Sequence, residues 1–253
     1  MTQMAIVKLV GVGGAGSHIL NRLVAANTPS PAYLLAVNTD SGALALGMAP
    51  QQLQIGRILT RGLGAGGNPE IGRRAAEESC SDLLASIGSV DIAVVTAGMG
   101  GGTGTGAAPR VAAAAREAGA IVIGIVSLPF TFEGRRRGDQ AQIGVAAMRS
   151  QVDLLLIIRN DSLLRMVESR SSMQEAFQAA DAVVNSIITR LAAMALPVSS
   201  TSVCAAVAEV AVASPIAIEI VPVDTGRVTA PMAGLAPSLG NLPRGPGGLE
   251  PTL

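Results

Sequence analysis

Residues 92–109 read IAVVTAGMGGGTGTGAAP, and the reading of this stretch decides the fold. Residues 92–97 form an unbroken run of small apolar and β-branched side chains, the signature of a strand buried on both faces. Residues 98–106 hold six glycines and two threonines among nine positions. Residues 107–118 are alanine-rich and helical in character. Each ordered glycine forfeits on the order of 0.5–1 kcal/mol of conformational freedom relative to alanine. A plain connector has no reason to carry that cost six times. A loop whose successive N–H groups converge on phosphate oxygens does. Pro109 suits the first turn of the helix that follows, where no N–H is wanted.

Two more glycine-rich loops stand at equivalent places. Gly11-Val12-Gly13-Gly14-Ala15-Gly16 lies between an expected strand at 5–10 and a helix at 14–26. Residues 62–70, GLGAGGNPE, lead into a helix at 71–85. Further strands are expected at 33–38, 121–128 and 154–158, with helices at 140–149 and 173–194. Strands separated by helices give βαβ units on a parallel sheet, an α/β fold. The three loops then lie at the carboxyl ends of the strands, where open α/β sheets bind ligands. No G-x-x-x-x-G-K-[ST] occurs, so the site is not of the Walker type. The first loop also satisfies the dinucleotide fingerprint, with Asp40 near the ribose-binding position. That leaves a nicotinamide-dependent oxidoreductase as a remote alternative, without a catalytic His or Tyr-Lys pair to support it.

Composition narrows the classes. The 253 residues are 49% apolar and 14% charged, with zero formal net charge. Bulk attraction to nucleic acid is therefore not expected. Three Phe, one Tyr and no Trp argue against a base-stacking platform. Cys80, Cys204 and a single histidine offer no metal-ligand spacing, and no secretory signal opens the sequence. Residues 191–208 carry no charge but are interrupted by Pro197 and a run of hydroxyl residues, so a spanning helix is not expected. Residues 205–213 are ambiguous between helix and strand, and 216–221 read as a strand. From residue 222 onward Pro and Gly punctuate the chain, as in a disordered tail.

Taken together the motifs resemble those of the FtsZ/tubulin superfamily, over residues 4–196. They are 11–16, 36–40, 60–70, 96–109, 129–137, 158–161 and 176–181. The resemblance implies a Rossmann-like GTPase domain with a long central helix. It implies GTP or GDP as ligand, with Mg²⁺ between the β- and γ-phosphates. Gly13, Gly14, Gly101, Gly102, Thr103 and Gly104 match phosphate-loop positions, and Asn38 belongs to the matching second-strand motif. Ala65, Gly66 and Gly67 match the loop near the γ-phosphate. Glu133 and Arg137 match residues at the ribose and phosphates, and Asn160, Phe177 and Asp181 match those around the guanine. His18 stands where the family has Asn, either as a polar substitute or as a nucleotide contact sensitive to pH.

The family's Asn-x-Asp-x-x-Asp loop positions the attacking water in the next subunit of a filament. Aligned without gaps, those positions fall on Ser202, Cys204 and Val207, so no catalytic residue and no metal ligand is assigned. A thiol or an alkyl group cannot do a carboxylate's work at neutral pH. Residues 1–196 are read as the GTP-binding domain, 197–221 as a degenerate remnant of a largely missing second domain, and 222–253 as the tail. One side of the long helix, and a sheet edge, would then be exposed as an apolar patch.

The resemblance further implies a cytoplasmic bacterial protein, at the division site or near the membrane through partners only. It would bind full-length FtsZ or itself head to tail, with weak or trans-dependent GTP hydrolysis. The alternatives are an active polymerising GTPase of cell division, and a magnetosome or biomineralisation role, since shortened members also occur beside magnetosome genes.

Overall fold

The computed structural model describes residues 4–26, 33–163, 172–195, 197–214 and 218–223. Their order is β1 (Val7–Val12), α1 (Gly13–Ala25), β2 (Tyr33–Asn38), α2 (Ser41–Ala45), β3 (Gln51–Gln54) and α3 (Arg57–Thr60). Next come α4 (Pro69–Glu78), α5 (Cys80–Ile87), β4 (Ile92–Gly98), α6 (Thr103–Glu117) and β5 (Ile121–Leu128). A 3₁₀ turn (Thr131–Glu133) precedes α7 (Arg135–Arg149), β6 (Leu154–Arg159), α8 (Met173–Ala192), α9 (Ser200–Val212) and β7 (Ile218–Pro222). Within α8 the side chains of Phe177 and Asp181 lie outside the described residues.

One sheet of seven strands runs β3-β2-β1-β4-β5-β6-β7. The first six are parallel, and β7 pairs antiparallel with β6. Alternation along each strand divides the core. Val10, Val12, Val95, Ala97 and Leu155 face α4–α7, whereas Leu9, Val94, Ile123, Leu156 and Ile158 face α1, α8 and α9. Side chains of period two feeding two helical layers are what a sheet covered on both faces requires. Lys8, buried in β1, donates from Nζ to the Ile87 carbonyl at 3.2 Å and to that of Ser86, so a cation closes the C-terminus of α5. Burial pushes its ammonium pKa down.

The structure departs from the sequence reading in instructive places. The helix expected at 71–85 is two, broken at Ser79, whose buried hydroxyl accepts from the Gly56 amide at 3.0 Å. Helix α6 begins at Thr103, inside the glycine run. Pro109 consequently sits within the helix rather than in its first turn. Of the ambiguous residues 205–213, 205–212 resolve as helix within α9 and Ala213 caps it.

Among the described residues the exposed patch expected along the long helix is not found. Val203, Cys204, Val207 and Ala211 of α9 pack against Val184, Ile187, Ile188 and Leu191 of α8, and β7 covers the edge of β6. Burial, with Asp153 nearby, pushes the Cys204 thiol pKa up. No helix among the described residues is long and apolar enough to cross a membrane.

Candidate functional site

Strand order reverses direction at the β1–β4 pair: β2 and β3 lie to one side, β5 and β6 to the other. The helices that follow β1 and β4 leave on opposite faces, which opens a crevice beyond the carboxyl ends of the two strands. Helices α1 and α6 both start at this crevice. Neither has a side-chain cap or an acidic residue in its first turn. Their uncapped N–H groups and positive dipole ends are therefore directed at one place.

The two helix starts touch. Gly13 has φ +71°, and a Cβ there would lie 3.0 Å from the Gly104 amide nitrogen. Gly104 is packed too, since its Cβ would meet the Gly98 carbonyl oxygen at 2.3 Å. Gly14 and Gly101 differ: a Cβ at either would meet nothing within 4 Å. A cavity of about 300 Å³ occupies that space. It is lined by Gly14, Gly101, Gly102, Thr103, Gly104, Glu133, Arg137 and Asn160, all expected from the sequence, and also by Ser127 and Pro129.

Hydrogen bonds hold this rim in place. Thr105 Oγ1 accepts from Gly100 N at 2.8 Å, and Met99 N donates to Ser127 O at 2.8 Å. The hydroxyls of Thr39 and Thr103 lie 2.7 Å apart, and Thr60 Oγ1 donates to the Thr39 carbonyl at 3.1 Å. Asn38 is buried, and its Oδ1 accepts from Thr39 N at 2.9 Å, so it shapes its own loop. Asp40 Oδ1 accepts from Ala43 N at 2.9 Å and caps α2, which occupies the carboxylate that a dinucleotide site would direct at a ribose. Ala65 is buried against Gly102, while Gly66 and Gly67 are exposed with open space at both Cβ positions.

A second cavity of about 420 Å³ adjoins the first, sharing Ala15, Ser127, Glu133 and Asn160 with it. It is more apolar: Ile19, Phe130, Ile158, Leu163 and Val184 line it, with His18 and Arg22 of α1 at its wall. Glu133 is fixed between the Phe130 amide, 2.9 Å from its Oε1, and the Arg137 guanidinium. Asp161 accepts from the Thr131 amide at 3.0 Å and the Thr131 hydroxyl at 2.5 Å, which holds its carboxyl below the usual carboxylate range. Phe177 and Asp181 belong to α8, and their side chains lie outside the described residues. The sequence reading passed over Ser127 and Arg22. Ser127 was within reach, because it lies near the carboxyl end of β5, paired with Gly98 of β4 beside the strand-order switch.

A polar end rich in free amides joined to an apolar end of nucleoside size suits a phosphorylated nucleoside. Comparison with known proteins agrees. The family model described as Tubulin/FtsZ family, GTPase domain, matches residues 6–168. An FtsZ dimer from M. jannaschii is 37% identical, with a TM-score of 0.70 over 78% of this chain and 58% of that one. The GDP-bound monomer of CetZ1 from Haloferax volcanii is 26% identical, with a TM-score of 0.66 over 81% of this chain and 64% of that one. A GTPγS-bound protofilament of CetZ2 from the same organism is 25% identical, with a TM-score of 0.63 over 74% and 58%. The chain thus spans about three fifths of the length of these relatives.

Proposed function

The chain belongs to the tubulin/FtsZ family, and from that premise we propose that it binds GTP and GDP in the double cavity and hydrolyses GTP weakly when alone. The observation that carries binding is the meeting of two uncapped helix N-termini, α1 and α6, over a cavity bounded by the open faces of Gly14 and Gly101. Their amides would hold phosphate oxygens, with the Thr103 hydroxyl beside them and the Gly66 and Gly67 amides toward the terminal phosphate. Glu133 and Asn160, common to both cavities, would orient the sugar between the phosphates and the base.

Mg²⁺ bound with the nucleotide would supply charge neutralisation between the β- and γ-phosphates. The phosphate end presents the Thr103 hydroxyl, backed by the buried hydroxyl of Thr39, which fits an ion held mainly by phosphate and water oxygens.

Weak hydrolysis is supported from the far side of the molecule. Ser202 is engaged with Ser199 in the capping box that starts α9, and Cys204 and Val207 are buried. None of the three offers a carboxylate to a neighbour's nucleotide. A full-length FtsZ partner would supply one, and head-to-tail contact with such a partner, or with another copy, is the assembly this reading favours.

The test is direct. Purified protein should bind fluorescent GTP and GDP analogues and be competed by GTP but not ATP. Its steady-state phosphate release should be slow alone and rise when full-length FtsZ is added. Vigorous turnover by the pure protein, with long filaments in the electron microscope, would instead support a self-sufficient polymerising GTPase.

A further inference from the structure

We propose that His18 makes guanine binding proton-linked in this chain: the imidazole takes up a proton from solvent as the base enters the second cavity, and donates to the base's acceptor edge. This rests on the nucleotide reading above and goes beyond it by naming what reads the base from the α1 side.

Ala15, His18, Ile19 and Arg22 fall on one face of α1 and form one wall of the apolar cavity. Ile158, Leu163 and Val184 stand across from them and give a flat ring apolar surroundings. The polar atoms on the edge of a buried ring must still be hydrogen-bonded. On the α1 wall two side chains can serve. Arg22 is a fixed donor, and His18 is a donor-acceptor when neutral and a double donor when protonated. Guanine presents two adjacent acceptors, O6 and N7, whereas the same edge of adenine pairs N7 with an amino donor. A wall of donors therefore selects the guanine edge, and filling it favours the protonated ring.

The charges around the ring are divided. Arg22, which has an interaction of its own, lies one turn along α1, and Glu133 lines the same cavity. Arg137 is paired with Glu133, Asp161 is tied to Thr131, and Arg159 is turned to Glu219 at 3.1 Å. On α8, Glu175 caps its own helix and Arg190 pairs with Glu209, while the Asp181 side chain lies outside the described residues. A guanine acceptor edge added to this balance tips it toward the charged imidazole.

The chain holds a single histidine, so one imidazole resonance reports the event. The intact protein is titrated by NMR from pH 5 to 8, with and without GDP. GDP and ADP affinities are measured over the same range for wild type and His18→Asn. GDP's own terminal phosphate titrates in this range, so the reading is the difference between the two proteins. The imidazole midpoint should rise by about one pH unit with GDP, which corresponds to an affinity gain of about tenfold on acidification. His18→Asn should lack that extra gain, and ADP should show no difference between the proteins. GDP binding with an unmoved midpoint and parallel pH profiles overturns the proton linkage while leaving the nucleotide reading standing. No GDP binding at any pH overturns both.

Discussion

Glycine at 101 and glycine at 104 are the same letter with opposite duties. A Cβ at Gly104 would meet the Gly98 carbonyl oxygen at 2.3 Å, so this residue exists to let α6 start against β4. Gly101 faces open space at the cavity wall, and its φ is not positive. Gly104→Ala should destabilise the fold by about 1–3 kcal/mol or more, as overpacking does. Gly101→Ala should stay within about 0.5 kcal/mol of wild type, as a surface change does, yet lose GDP affinity on the order of tenfold. Thermal melts and GDP titrations of both variants check this. A Gly101→Ala protein that binds GDP like wild type would show that the cavity is not where the phosphates sit. Glycine density in the sequence revealed that backbone comes close to something here. It could not separate approach to a ligand from approach to the protein's own carbonyls, because both remove the side chain for the same steric reason.

At the scale of elements five of the six parallel strands were legible, since their apolar runs are continuous and bounded by turns, whereas the polar edge strand β3 was missed. Boundaries governed by tertiary contact were not. The glycine run contains the first turn of α6 because Thr105 Oγ1 bonds Gly100 N and the α4 backbone presses against that turn, with a Gly106 Cβ set 1.9 Å from Pro69 O. None of this is a local propensity. The strap between β5 and α7 is a similar case, fixed by Asp161 after β6 through both polar groups of Thr131. Those bonds hold the Asp161 pKa low, so the tether stabilises the fold above the ordinary carboxylate pKa and loses that effect as pH falls through the lowered value. Thr131→Val should therefore weaken the protein at neutral pH, and its deficit against wild type should shrink on the acid side, below about pH 4. Denaturant titrations at pH 7 and pH 3 measure it. An equal deficit at both pH values would show that the loss came from packing rather than from the tether. Because Glu133 and Phe130 ride on the same strap, the variant should also bind GDP more weakly.

For the whole molecule, the switch between β1 and β4 fixes the place of the site, and alternating βα units made that legible. What covers the other face of the sheet was legible only in part. A strand was expected at 216–221, close to β7, but residues 205–213 stayed ambiguous, because a helix of Ala, Val and Ser with little amphipathic contrast shows no clear period. Its role emerges only from what it covers. Val203, Val207 and Ala211 close the apolar face of α8, and β7 satisfies the open edge of β6 while carrying Glu219 to Arg159. Burying one aliphatic side chain contributes about 1.5–3 kcal/mol, and a whole domain is stable by only about 5–15 kcal/mol. Removing α9 and β7 uncovers Val184, Ile187, Ile188 and Leu191 together and leaves a strand edge unpaired, which invites aggregation. A chain ending at residue 199 should accordingly aggregate or melt without cooperativity. In the intact chain, Val207→Asp should cost about 3 kcal/mol or more by burying an unpaired carboxylate, while Glu209→Ala on the exposed side of the same helix should cost under about 1 kcal/mol. Circular dichroism melts and size-exclusion profiles of the three proteins decide it. If the shortened chain folds cooperatively and still binds GDP, then α9 and β7 are an appendage, and the six parallel strands hold the nucleotide site without them.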